Sequence, residues 1–136
     1  MEIFGASLHE LPWFLAYMGT AIALVLVYVV IYMWVTPHDE IGLIRENNAA
    51  AAIAFGGSLI GFCLPLASAI ANSASLMDCV IWGGVALVVQ IAIFFVVRLP
   101  VSKISERIEK NEISSGLWLG SASIAGGILN AASMTN

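Results

Sequence analysis

Four stretches of this chain carry no formal charge: Leu11–Val35, Ala49–Asn72, Cys79–Val97 and Gly116–Met134. Each is close to the roughly 20 helical residues that cross about 30 Å of hydrocarbon. They do not alternate apolar and polar residues, which excludes a transmembrane β-barrel. Inside lipid a backbone must satisfy its own hydrogen bonds, so each stretch is expected to be a helix. Composition agrees: of 136 residues, 60% are hydrophobic and only 10% charged. A soluble domain of this size could not bury so much apolar surface.

The first stretch is read as a retained span, not a signal peptide. Residues 1–10 contain Glu2 and Glu10 but no Lys or Arg, and the apolar run exceeds the usual h-region. The five cations are Arg45, Arg98, Lys103, Arg107 and Lys110. All fall in or beside two connections, residues 36–48 and 98–115. Positive residues in short loops favour the cytoplasm, so both connections are expected there and both termini in the periplasm. Without a basic arm, nucleic acid is not an expected partner.

The chain also repeats itself. A shift of 63 pairs Pro37 with Pro100, Ile41 with Ile104, Glu46 with Glu109, Asn48 with Asn111 and Gly57 with Gly120. A shift of 64 fits the later helix as well, pairing Gly56 with Gly120 and Ile60 with Ile124. Each half reads as helix, proline, charged turn and small-residue helix. The expected fold is all-α: an integral membrane four-helix bundle of two tandem helical-hairpin repeats, residues 1–75 and 76–136. An even number of spans per unit makes the repeats parallel. Pro37 and Pro100 end their helices at the membrane surface. Beyond Pro100, Val101, Ile104 and Ile108 share one face, read either as a short interfacial amphipathic segment or as a solvated loop.

Lipid is as apolar as leucine, so helices meet where small residues let backbones approach. Gly57 and Gly61 in the second stretch, and Gly116 and Gly120 in the fourth, form two GxxxG pairs. Ala50, Ala54 and Ser68 extend the first small face; Ser123, Gly127 and Asn130 extend the second. These faces are expected to touch protein, within one chain or between chains. The opposing stripe of Phe55, Leu59, Phe62, Leu66 and Ile70 should meet lipid or a bulky groove. Pro65 inside the second stretch should kink it, as fixed shape or as a hinge.

Reactive chemistry is sparse. No charged residue or histidine lies deep in a span, which argues against a proton-coupled pump. Gln90 and Asn130 are the deepest strong polar groups, read as interhelical hydrogen-bond formers or as pore lining. His9 and His38 fall on opposite sides of the membrane in this topology, so they cannot share a metal within one subunit. His38-Asp39-Glu40 reads as a solvated turn before a weak ion site. Cys63 and Cys79 lack CxxC spacing and read as packed thiols. No catalytic residues, no metal site and no cofactor are expected, and an enzyme is not.

Three passages carry a resemblance: "TPHDEIGLIRENNAAAAIAFGGSLIGFCLPLASAI", "WGGVALVVQ" and "AGGILNAASMT". They resemble the YjfL-like bacterial inner-membrane family over residues 36–136, and the first stretch matches by hydropathy. The resemblance implies a paired domain of unknown function, once per hairpin, and a four-span protein of the Gram-negative inner membrane without an established activity. The chain departs from the family where its fourth helix begins. An Asn-x-Ala-Ala-Gly pattern is expected there, but Glu112-Ile113-Ser114-Ser115-Gly116 stands in its place, with Asn111 one position earlier. The functional expectation is a non-enzymatic membrane component that self-associates or supports other membrane proteins in envelope maintenance. The alternative is a small oligomeric channel or transporter.

Overall fold

A computed structural model describes residues 2–36, 40–101 and 103–134, with side chains from Leu8 onward. Six helices follow in order: α1 (Glu2–Val35), α2 (Glu40–Arg45), α3 (Ala49–Asn72), α4 (Leu76–Val97), α5 (Ile104–Glu109) and α6 (Ile113–Ser133). Pro37 and the His38-Asp39 pair lie outside the described residues, as does Ser102. The short helices α2 and α5 occupy connections that hydropathy reads as turns.

Among the described residues three helices are long and apolar enough to cross a membrane: Leu8–Val35 of α1, then α3 and α4. The fourth long helix, α6, has 21 residues but is diluted by serine, glycine and Asn130. Those residues lower its hydropathy and fit it closely to α3.

Local signals set the boundaries. Asn48 caps α3, its Oδ1 accepting from the Ala51 N–H at 2.9 Å. Ser75 caps α4 by accepting from the Asp78 N–H at 3.1 Å, and Asp78 accepts in return from Ala74 N–H at 3.0 Å. That reciprocal pair closes a turn of only residues 73–75, which forces α3 and α4 antiparallel. α3 stays helical on both sides of Pro65, whose side chain is fully buried.

Contacts give the directions of the long helices. Leu24 meets Gly83 and Tyr32 meets Phe94, so α1 and α4 run parallel. Gly116 meets Ala50, Gly120 meets Gly57 and Gly127 meets Gly61, so α3 and α6 run parallel too. Tyr28 against Phe62 and Tyr32 against Phe55 set α1 antiparallel to α3. α3 is therefore the hub, packed by α1, α4 and α6.

The same turn precedes α3 and α6. Asn47 donates to Ile44 O and Asn48 to Leu43 O; Asn111 donates to Ile108 O and Glu112 to Arg107 O, each partner 64 positions further on. Asn47 and Asn111 both hold positive φ, 67° and 59°, as the residue after a helix end does in this hydrogen-bond pattern. The backbone thus favours the shift of 64 over 63 at this turn.

Candidate functional site

The interior of the bundle has an aromatic side and a polar seam. On the aromatic side, Tyr28 stacks on Phe62 with centroids 4.6 Å apart and planes within 9°. Tyr32 sits 5.3 Å from the Phe55 ring and meets Phe94 edge-on at 5.1 Å. Tyr28, Tyr32 and Phe62 are wholly buried. The stripe Phe55–Phe62–Leu66 therefore enters a groove between α1 and α4, not lipid. The sequence reading missed the tyrosines that carry this arrangement; their i, i+4 spacing is the signal that could have found them.

The seam lies between α3, α4 and α6. A Cβ built on Gly57 would land on the backbone of Gly120, one on Gly116 on that of Ala50, and one on Gly61 on Ser123. All four predicted packing glycines are thus at backbone contact within one chain, joined by Gly127 against Gly61. Gln90 is 1% exposed and donates from Nε2 to Ser123 O at 2.8 Å. Asn130 is 8% exposed and donates from Nδ2 to Ala86 O at 3.3 Å. Ser68 Oγ donates to Ala131 O at 3.2 Å, and the hydroxyls of Ser58 and Ser123 lie 3.4 Å apart. Among the described residues, Gln90 Oε1 is buried and meets no hydrogen-bond donor.

A second polar knot joins the two turns. Asn48 donates from Nδ2 to Ile108 O at 2.9 Å and to Glu109 O at 3.2 Å. Asn111 Oδ1 accepts from Ala50 N–H at 3.0 Å. So Asn111 does not cap α6. It serves the first turn of α3, while Glu112 takes the capping position of α6 without a side-chain bond. The residues around the turns follow: Ile104 and Ile108 are buried in the protein, so α5 is a short helix docked by the face they share, and not an open loop.

The turns also gather Arg45, Arg98, Lys103, Arg107 and Lys110 at one end of the molecule. Arg98 caps α4, is half-buried, and places its guanidinium carbon 5.2 Å from the Phe94 centroid. The other four cations are exposed. Cys79 is buried but Cys63 is exposed on α3, so the expectation of two packed thiols holds for one only. Among the described residues no group of three or more His, Cys, Asp or Glu side chains is placed to hold a metal ion.

Residues 6–134 match the family described as Domain of Unknown Function (DUF350). The chain is 44% identical over 128 residues to the UPF0719 inner membrane protein YjfL of Escherichia coli (strain K12), covering 94% of this chain and 97% of that protein. It is 26% identical over 110 residues to the UPF0719 transmembrane protein YshE of Bacillus subtilis (strain 168), covering 79% of this chain and 82% of that protein. No solved structure matches the chain.

Proposed function

The chain belongs to the DUF350 family, and from that premise we propose a non-enzymatic, multi-pass component of the bacterial inner membrane that associates with itself or with other membrane proteins in envelope maintenance. Four spans form two tandem, parallel hairpins, with α2 and α5 in the cytoplasm and both termini in the periplasm. The turn hydrogen bonds repeated at a spacing of 64 support the duplication. The clustering of all five cations at the α2 and α5 end supports the orientation.

One observation carries the functional reading. The strong polar groups of the long helices are spent on neighbouring helices: Gln90 on Ser123, Asn130 on Ala86 and Ser68 on Ala131. Their donors act as interhelical glue. The surface left over is apolar, including Trp34, Val88 and Leu129. The outward glycines Gly19, Gly56 and Gly84, where a Cβ would meet nothing, leave backbone open to another helix. Because the GxxxG faces are used within the chain, self-association belongs to these outer faces. Cys63 lies on the Gly56 face of α3 and is exposed, so oxidative cross-linking in membranes reads it directly. A cross-linked dimer through Cys63, abolished by Gly56→Leu, is the expected result.

The second reading is a small oligomeric channel or transporter. It is favoured by Gln90 Oε1, a buried acceptor that passing water could satisfy. Liposomes loaded with small solutes separate the two. A leak that disappears in Gln90→Leu and Asn130→Leu would overturn the structural reading; tight liposomes for all three proteins support it.

A further inference from the structure

We propose that the groove where α4 gives way to α5 binds the phosphate of an anionic phospholipid, with the acyl chain lying on its apolar wall. The groove has a volume of about 320 Å³ and is lined by Phe95, Arg98, Leu99, Val101, Lys103 and Ile104. Two cations thus share a wall with four apolar side chains. A free phosphate would leave that apolar wall facing water, whereas a phospholipid satisfies both parts at once.

Depth supports the assignment. α4 is apolar up to Val97, and Arg98 follows at once, where hydrocarbon meets head groups. Arg98 is half-buried against Phe94, a contact with a ring face that needs none of its five N–H donors. Among the residues lining this groove none is acidic. Lys103 also borders a neighbouring pocket with Glu106 and Glu112, and Arg98 is not among the residues that line it. Lys103 holds a left-handed backbone, φ 55° and ψ 40°, uncommon for a residue with a long side chain. That turn starts α5 beside the end of α4 and brings both cations to one groove. Phe95 and the 80% exposed Leu99 continue the wall outward to where an acyl chain would run. Basic pockets beside membrane helices are a recurrent way of holding anionic head groups.

The test uses the full chain in a mild detergent, where sidedness plays no part, so a wrong orientation cannot mask the outcome. Native mass spectrometry follows retention of phosphatidylglycerol against phosphatidylcholine of the same acyl chains. The wild type should retain phosphatidylglycerol several-fold better. Arg98→Gln and Lys103→Gln should each lower its occupancy about fivefold, in line with the usual effect of one basic residue near an anionic surface. Arg98→Lys should keep most of it, and Arg45→Gln with Lys110→Gln, outside the groove, should change nothing. Millimolar inorganic phosphate should not displace the lipid. Equal retention of the two lipids, wild-type occupancy in the Arg98→Gln/Lys103→Gln double variant, or displacement by inorganic phosphate overturns the proposal, the last in favour of a soluble anion. If Arg98→Gln does not fold, Lys103→Gln alone decides.

Discussion

At the scale of single residues, glycine and glutamine act in ways their identities do not announce. Gly56 and Gly57 are neighbours in sequence, yet a Cβ on Gly56 meets open space and one on Gly57 strikes Gly120. Sequence spacing placed Gly57 and Gly61 on a packing face, and the structure adds that the face is fully used. Gly61→Ala should therefore destabilise the protein by about 1–3 kcal/mol, as overpacking does. Gly56→Ala should be neutral or stabilise by about 0.5–1 kcal/mol through lost chain entropy and better helix propensity. Denaturant titration in micelles, followed by helical circular dichroism, checks both. Gln90→Leu should change stability by less than about 1 kcal/mol, because the lost bond to Ser123 O is offset by removing a buried acceptor that has no partner among the described residues. A loss above about 3 kcal/mol would mean that Oε1 has a partner of its own.

At the scale of elements, the connections proved richer than their composition suggested. Residues 36–48 and 98–115 are polar and short, so hydropathy reads them as turns, yet α2 and α5 lie within them. A six-residue helix is too brief to be stable alone; the shared face of Ile104 and Ile108 hinted at α5, and their burial together with the Asn48 bonds to Ile108 O and Glu109 O holds it in place. The Asn48 capping bond is local, three residues along the chain, which is the kind a sequence can show; the Asn111 bond is not, because its partner, Ala50, is 61 residues away. Asn48→Ala should cost about 1–2 kcal/mol from the α3 cap alone. Asn111→Ala should cost less, and the two losses should be non-additive because they share the first turn of α3. A double-mutant cycle in the same titration reads the coupling; strict additivity would place the two side chains in separate networks. The aromatic contact between α1 and α3 is a larger prop. Phe62→Ala, which removes the ring stacked on Tyr28, should cost roughly 3–5 kcal/mol.

For the whole molecule, the distribution of charge and the fit of surfaces answer different questions. Reporters fused to each terminus should place both in the periplasm, and Glu2→Lys with Glu10→Lys should move a fraction of molecules to the opposite orientation. Cytoplasmic termini in the unaltered chain would sink the orientation drawn from its cations. The α1 helix spans 34 residues, about 51 Å, well beyond the hydrocarbon thickness. Its residues from Leu8 to Leu15 are exposed, and the length was hidden in the sequence because Glu2, His9 and Glu10 break the apolar run that hydropathy counts. The sequence by itself determined the helical class, three helices long and apolar enough to cross a membrane, and the end of the molecule where the cations lie. Those follow from local length, period and charge. Only the tertiary structure decided that α3 is the hub, that the Phe55–Phe62 stripe meets tyrosine instead of lipid, and that the glycine faces close on each other within one chain. Lipid and protein interior are equally apolar, so hydropathy cannot tell which side of a spanning helix meets which; shape complementarity across the bundle makes that choice.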